Sequence, residues 1–425
     1  MSINPREFLI QLFEEAVAAA DPGLRIPAYL PDPPKGKLLV VGAGKASARM
    51  AKAVEMNWSG PLSGLVATRY GHTVPCEHIK IVEASHPTPD SASAIAAGTL
   101  LGLVSELGKK DHCLALISGG GSSILSAPSR ELSIKDKREI TSALLTCGAA
   151  IDEINCVRKH ISLIKGGRLT AVAAPAQVTT LIISDVPGDD PSTIASGPTV
   201  ADSTTLHDAR DIISKYKIDT HPDVNVDALM RALNNPGNET PKPNHPGFEN
   251  GSVHLIATPQ QSLEAAASLS QKLGVAPFIL GNAIQGEARE VAKVMAGIAL
   301  QVRQYHQPIA PPCILLSGGE TTVTVQGEGR GGRNVEFLLN LAVALNGATD
   351  IYAISADTDG IDGIEDIAGA VITPDSLIRG QHLGLPIQSI LEKNDAHSFF
   401  EALDDHVVTG PTLTNVNDFR AILIR

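Results

Sequence analysis

Short apolar runs alternate with longer amphipathic stretches along most of the chain. The runs at 38–43, 113–118 and 178–184 consist almost entirely of aliphatic, small or β-branched residues, which is typical of strands buried on both faces. The stretches between them carry apolar residues three or four positions apart, and this spacing predicts helices. Strands that alternate with helices favour a mainly parallel sheet covered by helices on both faces.

The alternation is interrupted once and then starts again. Residues 234–251 are dense in Pro, Asn and Gly and show no periodicity, which favours a linker. Further strand patterns follow at VHLIAT, PFILG, CILLS and DIYAIS. We therefore predict an α/β protein with two α/β domains, 1–240 and 241–425, each built on a mainly parallel sheet. The helix predicted at 8–17 can pack onto the second domain.

Composition narrows the class of protein. A chain of 425 residues with 43% hydrophobic residues can build two cores, and the formal net charge of -12 argues against a nucleic-acid or anionic-membrane surface. The five cysteines form no CxxC pair, and acidic residues stand where a signal peptide needs its apolar core. We expect a cytoplasmic protein without a membrane span. A homodimer is the default assembly, since twofold oligomers are the commonest.

Two glycine turns follow predicted strands, where parallel α/β sheets bind their ligands. In GAGKAS, Gly42 and Gly44 allow close backbone approach and Lys45 supplies a cation. The turn SGGGSS offers amides and hydroxyls to an anion, from Ser118, Gly119, Gly120, Gly121, Ser122 and Ser123. A plain strand-to-helix turn is the alternative for both. GAGKAS is a defective dinucleotide motif, because Ser47 replaces the third glycine and the next strand ends in Arg69 instead of an acid.

Two acidic loops also follow strands. SDVPGDDPSTIASGPT contains Asp185, Asp189 and Asp190, and SADTDGIDG contains Asp357. Carboxylates in such loops are suitable ligands for Mg²⁺, and one could accept a proton from a hydroxyl nucleophile. Each loop could equally be ordinary turn chemistry, for which Asp is a common residue.

Basic residues cluster in two further places. Arg330 and Arg333 stand in the glycine-rich turn GEGRGGRN, where guanidinium groups could hold a carboxylate or phosphate with two hydrogen bonds, although a pair of solvated arginines is the alternative. The stretch 154–169 contains several Lys, Arg and His residues at helical spacing, and we expect most of them on a charged outer face. For His72 and His86 we expect structural roles.

The motifs together resemble those of a known family. VVGAGKAS, SGGGSS, NCVRKHISLIKGGRL, SDVPGDDPSTIASGPT, SGGETTVTVQGEGRGGRN and TGPTLTNVND are similar, in order and over nearly the whole chain, to the glycerate 2-kinase family whose C-terminal half is called the MOFRL domain. The resemblance implies two α/β domains with the active site in the cleft between them. It implies transfer of the γ-phosphate of ATP to the 2-hydroxyl group of D-glycerate, with Mg²⁺.

The resemblance also gives the loops their expected roles. The two glycine turns would bind ATP, and Lys45 would stabilise charge on the transferred phosphoryl group. Asp189 would orient or deprotonate the hydroxyl group. Metal binding is assigned to a set of three carboxylates, Asp185, Asp190 and Asp357. Substrate binding is assigned to Arg330, Arg333 and Asn334, with Arg333 also catalytic. One departure from the family pattern is Leu413, which stands where a glycine is familiar.

Two other functions remain open from the sequence. Relatives of this family are often labelled hydroxypyruvate reductases, so an NAD(P)H-dependent reductase is the first alternative. The missing acid after the second strand and the presence of two acidic loops count against it. A non-catalytic protein that binds a sugar acid is the second alternative, and it predicts ligand binding without turnover.

Overall fold

The computed structural model describes residues 4–425. The strands are, in chain order, β1 (Leu38–Ala43), β2 (Leu62–Arg69), β3 (Ile79–Ala84), β4 (His112–Ile117), β5 (Gln177–Ile183), β6 (Ser252–Ala257), β7 (Ala276–Gly281), β8 (Gly286–Glu287), β9 (Cys313–Gly319), β10 (Thr321–Thr322), β11 (Ile351–Asp357), β12 (Gly369–Ile372), β13 (His406–Val407) and β14 (Asp418–Ile424).

The α-helices are α1 (Pro5–Ala19), α2 (Pro22–Arg25), α3 (Ser47–Asn57), α4 (Ser91–Ser105), α5 (Gly121–Ile124), α6 (Ile134–Thr146), α7 (Ile151–His160), α8 (Arg168–Ala173), α9 (Leu206–Lys215), α10 (Val226–Asn234), α11 (Pro259–Lys272), α12 (Ala288–Tyr305), α13 (Arg333–Leu345), α14 (Ser376–His382), α15 (Ile387–Glu392) and α16 (Ala396–Leu403). Across residues 4–425, every helix is either too short or too polar to cross a membrane.

The chain divides into two compact units. The N-terminal unit contains Pro22–Ser184 and Asp189–Ile256. The C-terminal unit contains residues 4–21, the short segment Asp185–Gly188, and Ala257–Arg425. The first sheet includes β6, so it continues past residue 240, the boundary predicted from the linker.

The sheet of the N-terminal unit has the order β3-β2-β1-β4-β5-β6. All neighbouring pairs from β3 to β5 are parallel, as the alternation of strands and helices predicts. Strands β1 and β4 are buried at every position, which explains why both lack polar alternation. Because β1 and β4 are neighbours, the turns that follow them lie at the same edge of the sheet.

The sheet of the C-terminal unit corrects one prediction. Its order is β13-β12-β11-β14-β9-β7, and only β7 and β9 pair in parallel, whereas the other four pairs are antiparallel. The expectation of a mainly parallel second sheet is therefore wrong, although the two-domain α/β class is confirmed. Strand β14 inserts between β9 and β11 and runs opposite to both, and β12 pairs antiparallel with β11 and β13. Local periodicity does not record where a terminal strand inserts.

The first helix belongs to the core of the C-terminal unit. Phe8, Leu12 and Phe13 on α1 are buried in one apolar cluster with residues of β9, β11, β14 and α11. The ring of Phe13 lies 5.9 Å from that of Phe419 on β14. Asn4 caps the start of α1 by accepting a hydrogen bond from the amide of Arg6.

Close approach of β1 and β2 requires a glycine at position 64. A Cβ atom there would lie 1.9 Å from the carbonyl oxygen of Val40 on β1. We expect Gly64→Ala to lower the free energy of unfolding by about 1–3 kcal/mol or more, since the backbone cannot yield without breaking the strand pair. Urea unfolding followed by circular dichroism measures this.

Gly98→Ala is the matched control, because Gly98 is exposed on α4 and a Cβ there would meet nothing within 4 Å. Alanine favours helix over glycine by about 1 kcal/mol, so this variant should be as stable as the wild type or more so. Equal stability of the two variants would contradict the packing described for β1 and β2.

Candidate active site

The turns after β1 and β4 interlock through buried backbone. The hydroxyl group of Ser118 accepts a hydrogen bond from the amide of Ala46 (3.0 Å), and the amide of Lys45 donates to the carbonyl of Gly119 (2.9 Å). A Cβ atom on Gly44, whose φ is 141°, would lie 2.1 Å from the Ser118 oxygen. Ser118 is predicted from the motifs to bind the cofactor, and its hydroxyl group is engaged in this contact between the two turns.

Lys45, Gly120 and His86 come together at the end of β4. Gly120 has a φ of 77° and begins the short helix α5. A Cβ atom there would lie 2.8 Å from the ring of His86 and 3.4 Å from Cγ of Lys45. Glycine is therefore required both by the left-handed backbone and by the lack of space. His86, for which a structural role is predicted, lies against this turn, a contact that no spacing in the sequence indicates.

The glycine turn borders a cavity of about 820 Å³ within the N-terminal unit. Gly120, Ser122 and Ser123 line it, whereas Ser118, Gly119 and Gly121 do not. The remaining lining residues come from the segment around His86, from α6 and its flanks, and from α7 and the loop before α8. A cavity of this size can hold a cofactor-sized ligand.

The charged stretch at 154–169 does not form an outer face. Lys159 and His160 on α7 are buried, and so is Lys165. Lys159 pairs with buried Asp202 at 3.2 Å. The Nε2 atom of His160 lies 3.3 Å from a carboxylate oxygen of Glu239, which accepts the hydrogen bond. The expectation of a solvated helix face is wrong, because α6, α9 and α10 pack around α7 and enclose its polar positions.

The acidic loop after β5 places its three carboxylates in different surroundings. Asp189 has a φ of 54°, and its Oδ1 atom is buried without a hydrogen-bond partner in the described part of the chain. Asp190 is exposed and accepts hydrogen bonds from the amide and hydroxyl of Ser192 (2.9 and 2.7 Å). Burial raises the pKa of Asp190, but these bonds outweigh it and leave the pKa below its usual value. Asp185 accepts from the side chain of Asn415 at 2.9 Å.

The carboxylates of this loop can provide some, but not all, of the ligands of a magnesium ion. Within residues 4–425, no group of three or more His, Cys, Asp or Glu side chains could hold a metal ion. Magnesium is usually held by one or two carboxylates together with phosphate groups of a substrate and water, so a complete protein cage is not required. Asp185 and Asp190, two carboxylates of the same loop, fit this sparse donor set. The assignment of Asp185, Asp190 and Asp357 as ligands stays a prediction.

Arg333 begins α13 and is surrounded by carboxylates. Its guanidinium group donates to Asp418 (2.9 and 3.0 Å) and to Asp357 (2.7 Å), and its Nη1 atom lies 3.4 Å from Glu320. Burial lowers the pKa of Arg333, but the three carboxylates outweigh burial and raise it well above its usual value. Both sequence-predicted groups, Arg333 and Asp357, therefore come together in the C-terminal unit.

Asn334 and Arg330 belong to the same turn as Arg333 but differ from it in burial and in hydrogen-bond partners. Asn334 is fully buried; its side chain donates to Asp418 at 2.8 Å and accepts from Ser355 at 2.6 Å. Arg330 is half exposed and pairs with Glu365 at 2.7 Å, with Glu401 at 3.3 Å. Asn334 thus orders the interior of the C-terminal unit, while Arg330 lies on its surface.

Leu413 occupies a backbone conformation that favours glycine. Its φ is 61°, in the left-handed region, which costs an L-residue about 1–2 kcal/mol. The departure noted in the sequence therefore falls at a position where the backbone itself would prefer glycine.

Two family models match the chain. Residues 8–231 match a model described as a domain of unknown function, DUF4147, and residues 313–418 match the MOFRL family. A D-glycerate 2-kinase from Thermotoga maritima is 37% identical over 97% of this chain and 97% of its own length. This chain belongs to the MOFRL-type glycerate kinase family.

The solved structures agree with this membership. The crystal structure of glycerate kinase from Thermotoga maritima is 36% identical, covers 99% of each chain and superposes with a TM-score of 0.88. A relative from Agrobacterium vitis named putative hydroxypyruvate reductase is 54% identical over 99% of this chain and 95% of its own length. The family resemblance predicted from the motifs is confirmed.

For this member of the kinase family, Gly120 tests whether the glycine turn contacts nucleotide. We expect Gly120→Ala to weaken ADP binding about tenfold or more, because the new methyl group would clash with the ring of His86, which lines the cavity. Isothermal titration calorimetry measures the affinity, and thermal unfolding the stability.

Gly148→Ala is the matched control, since Gly148 has nearly the same φ, 76°, but a Cβ there would meet nothing within 4 Å. Both variants should lose about 1–2 kcal/mol of stability from the left-handed backbone. Unchanged ADP affinity in Gly120→Ala would remove the turn from the nucleotide site.

Proposed function

We propose that the protein is a glycerate 2-kinase, which transfers the γ-phosphoryl group of ATP to the 2-hydroxyl group of D-glycerate in the presence of Mg²⁺. The observation that carries the proposal is the full-length similarity to a D-glycerate 2-kinase, together with the glycine turn that borders a cation-lined cavity. In the reaction the bond between the β–γ bridging oxygen and the γ-phosphorus breaks, and the hydroxyl oxygen forms a new bond to that phosphorus.

Phosphoryl transfer depends mainly on position and on opposite charge. The stem of Lys45 lies beside Gly120, so its ammonium group can reach an anion held at the glycine turn. The proton of the hydroxyl group would pass to Asp189, whose Oδ1 has no competing hydrogen bond among the described residues. Asp185 or Asp190 would hold magnesium, which supplies positive charge to the phosphate oxygens.

The carboxylate of glycerate needs a cation of its own. Arg333 is the stronger candidate, since its guanidinium group is fixed by Asp418 and Asp357 on two sides. Its third side faces Glu320, which is half exposed and 3.4 Å away. A substrate carboxylate would replace Glu320 at Nη1 and leave the other two pairs intact. Arg330 and Asn334 would assist from the same turn.

A reductase is the second candidate, because a relative with 54% identity is named putative hydroxypyruvate reductase. Thr68 and Arg69 end β2, where a nicotinamide-nucleotide fold places an acid for the ribose hydroxyl groups. The hydroxyl group of Thr68 already donates to the carbonyl of Gly44 at 3.2 Å. This edge of the sheet therefore favours the kinase.

The reaction itself is tested with the purified protein. With D-glycerate, ATP and Mg²⁺, phosphorus NMR should show 2-phosphoglycerate, which is resolved from 3-phosphoglycerate. With hydroxypyruvate and NAD(P)H, absorbance at 340 nm should stay constant. Oxidation of NAD(P)H without formation of phosphoglycerate would mean that the protein is a reductase and not a kinase. Ligand-induced stabilisation without either reaction would favour a binding protein.

The roles of two side chains are tested by kinetics. We expect Lys45→Ala to lower kcat by about 100-fold or more, the usual cost of one electrostatic donor, and Asp189→Asn by about 100-fold or more, the usual cost of a general base. Lys52→Ala is the control, because Lys52 lies on α3, directly after the same turn, and pairs with Glu55 at 3.7 Å. The kcat of this variant should stay within about twofold of the wild-type value. Near-normal kcat in either of the first two variants would remove that residue from the mechanism.

A further inference from the structure

Three buried or partly buried cations line the cavity without a carboxylate partner among residues 4–425. Lys137 on α6 and Lys165 before α8 are 4% and 2% exposed, and Arg158 lies on α7. Across residues 4–425 none of the three forms an ion pair, and the ammonium nitrogen of Lys137 has no hydrogen-bond partner. The ammonium group of Lys165 donates to the carbonyl of Ser122, 2.8 Å away, which ties it to the glycine turn.

This arrangement is costly for the protein alone. A buried ammonium group loses its hydration, and Lys137 also lies in the first turn of α6, where the helix carries partial positive charge. Burial, together with the charge of Arg158, lowers the pKa of Lys137 to about 7. Burial and the neighbouring cations Lys137 and Arg158 lower that of Lys165 well below its usual value. The carbonyl of Ser122 offsets part of this cost for Lys165, but no carboxylate of residues 4–425 pairs with either lysine, whereas a bound anion would.

Charge and volume indicate the kind of anion. The cavity lining carries Lys or Arg at five positions but a single acid, Glu139, which lies 3.5 Å from exposed Lys135. The volume of about 820 Å³ exceeds what a three-carbon acid would fill. A ligand with several negative charges and a sizeable body fits better than a single carboxylate.

We propose that Lys137, Arg158 and Lys165 bind the phosphate groups of the nucleotide, which occupies this cavity of the N-terminal unit beside the glycine turn. The proposal rests on the proposed kinase function and adds to it the site of the nucleotide and the residues that neutralise its phosphates. The cations approach the phosphates from α6, α7 and the loop before α8, and the turn to which Lys165 is bonded supplies uncharged donors.

The proposal is tested with the variant Lys137→Met, which keeps the volume and apolar stem of the side chain but removes its charge. Its affinities for inorganic tripolyphosphate and for ADP are compared with those of the wild type. Calorimetry should show about tenfold weaker binding or more of both ligands, since a hydrogen bond to a charged group is lost. The midpoint of thermal unfolding should be unchanged or higher, because a buried unpaired charge disappears. Lys165→Met should weaken binding similarly.

Two lysines provide matched controls. Lys159→Met removes an equally buried ammonium group on α7, but one paired with Asp202, so it should lower stability and leave tripolyphosphate affinity of the folded protein within about threefold. Lys215→Met changes the net charge by the same amount at an exposed pair with Glu153, away from the cavity, and should change neither quantity appreciably.

The outcomes separate this proposal from the proposed function. If Lys137→Met binds tripolyphosphate and ADP as well as the controls do, the site assignment is wrong, even when glycerate is phosphorylated. If Lys137→Met loses affinity for D-glycerate but not for tripolyphosphate, the cavity holds the acid and the assignment is also wrong. If tripolyphosphate binding depends on Lys137 while no phosphoglycerate forms, the phosphate site stands and the kinase function fails.

Discussion

The absence of a side chain at Gly44 is the constraint on which the rest of the candidate site depends. It lets the hydroxyl group of Ser118 approach the backbone of the neighbouring turn and accept the amide of Ala46. That contact fixes the ends of β1 and β4 against each other. Lys45 and Gly120 are thereby held side by side at the edge of a parallel sheet, the usual place for ligands in such folds.

Local and overall charge have opposite signs in this protein. The chain has a formal net charge of -12, yet the charged residues that line the cavity of the N-terminal unit are five basic residues and one acid. Because the ammonium groups of Lys137 and Lys165 are shielded from water, their field inside the cavity is less screened than that of surface lysines. An acidic surface that repels nucleic acids can therefore coexist with an interior that attracts a small anion.

The sequence predicted the features that depend on local pattern. The parallel strands of the first sheet followed from apolar runs, and glycine spacing singled out the two turns, although not the contact between Lys45 and Gly120. It did not predict the buried cations, because Arg158 and Lys159 have the spacing of an ordinary solvated helix face. Only the packing of α6, α9 and α10 around α7 encloses them. The antiparallel second sheet was also missed, because the insertion of β14 depends on pairing with strands that are far away in the sequence.

The short segment Asp185–Gly188 has a consequence for how the chain can be divided. It belongs to the C-terminal unit, although the residues on both sides belong to the N-terminal unit. Together with the first helix, it makes the polypeptide pass between the units at 21/22, 184/185, 188/189 and 256/257. No single cut therefore yields two complete fragments. Shortened genes, split reporters and domain exchanges designed at the linker would each leave part of one unit attached to the other.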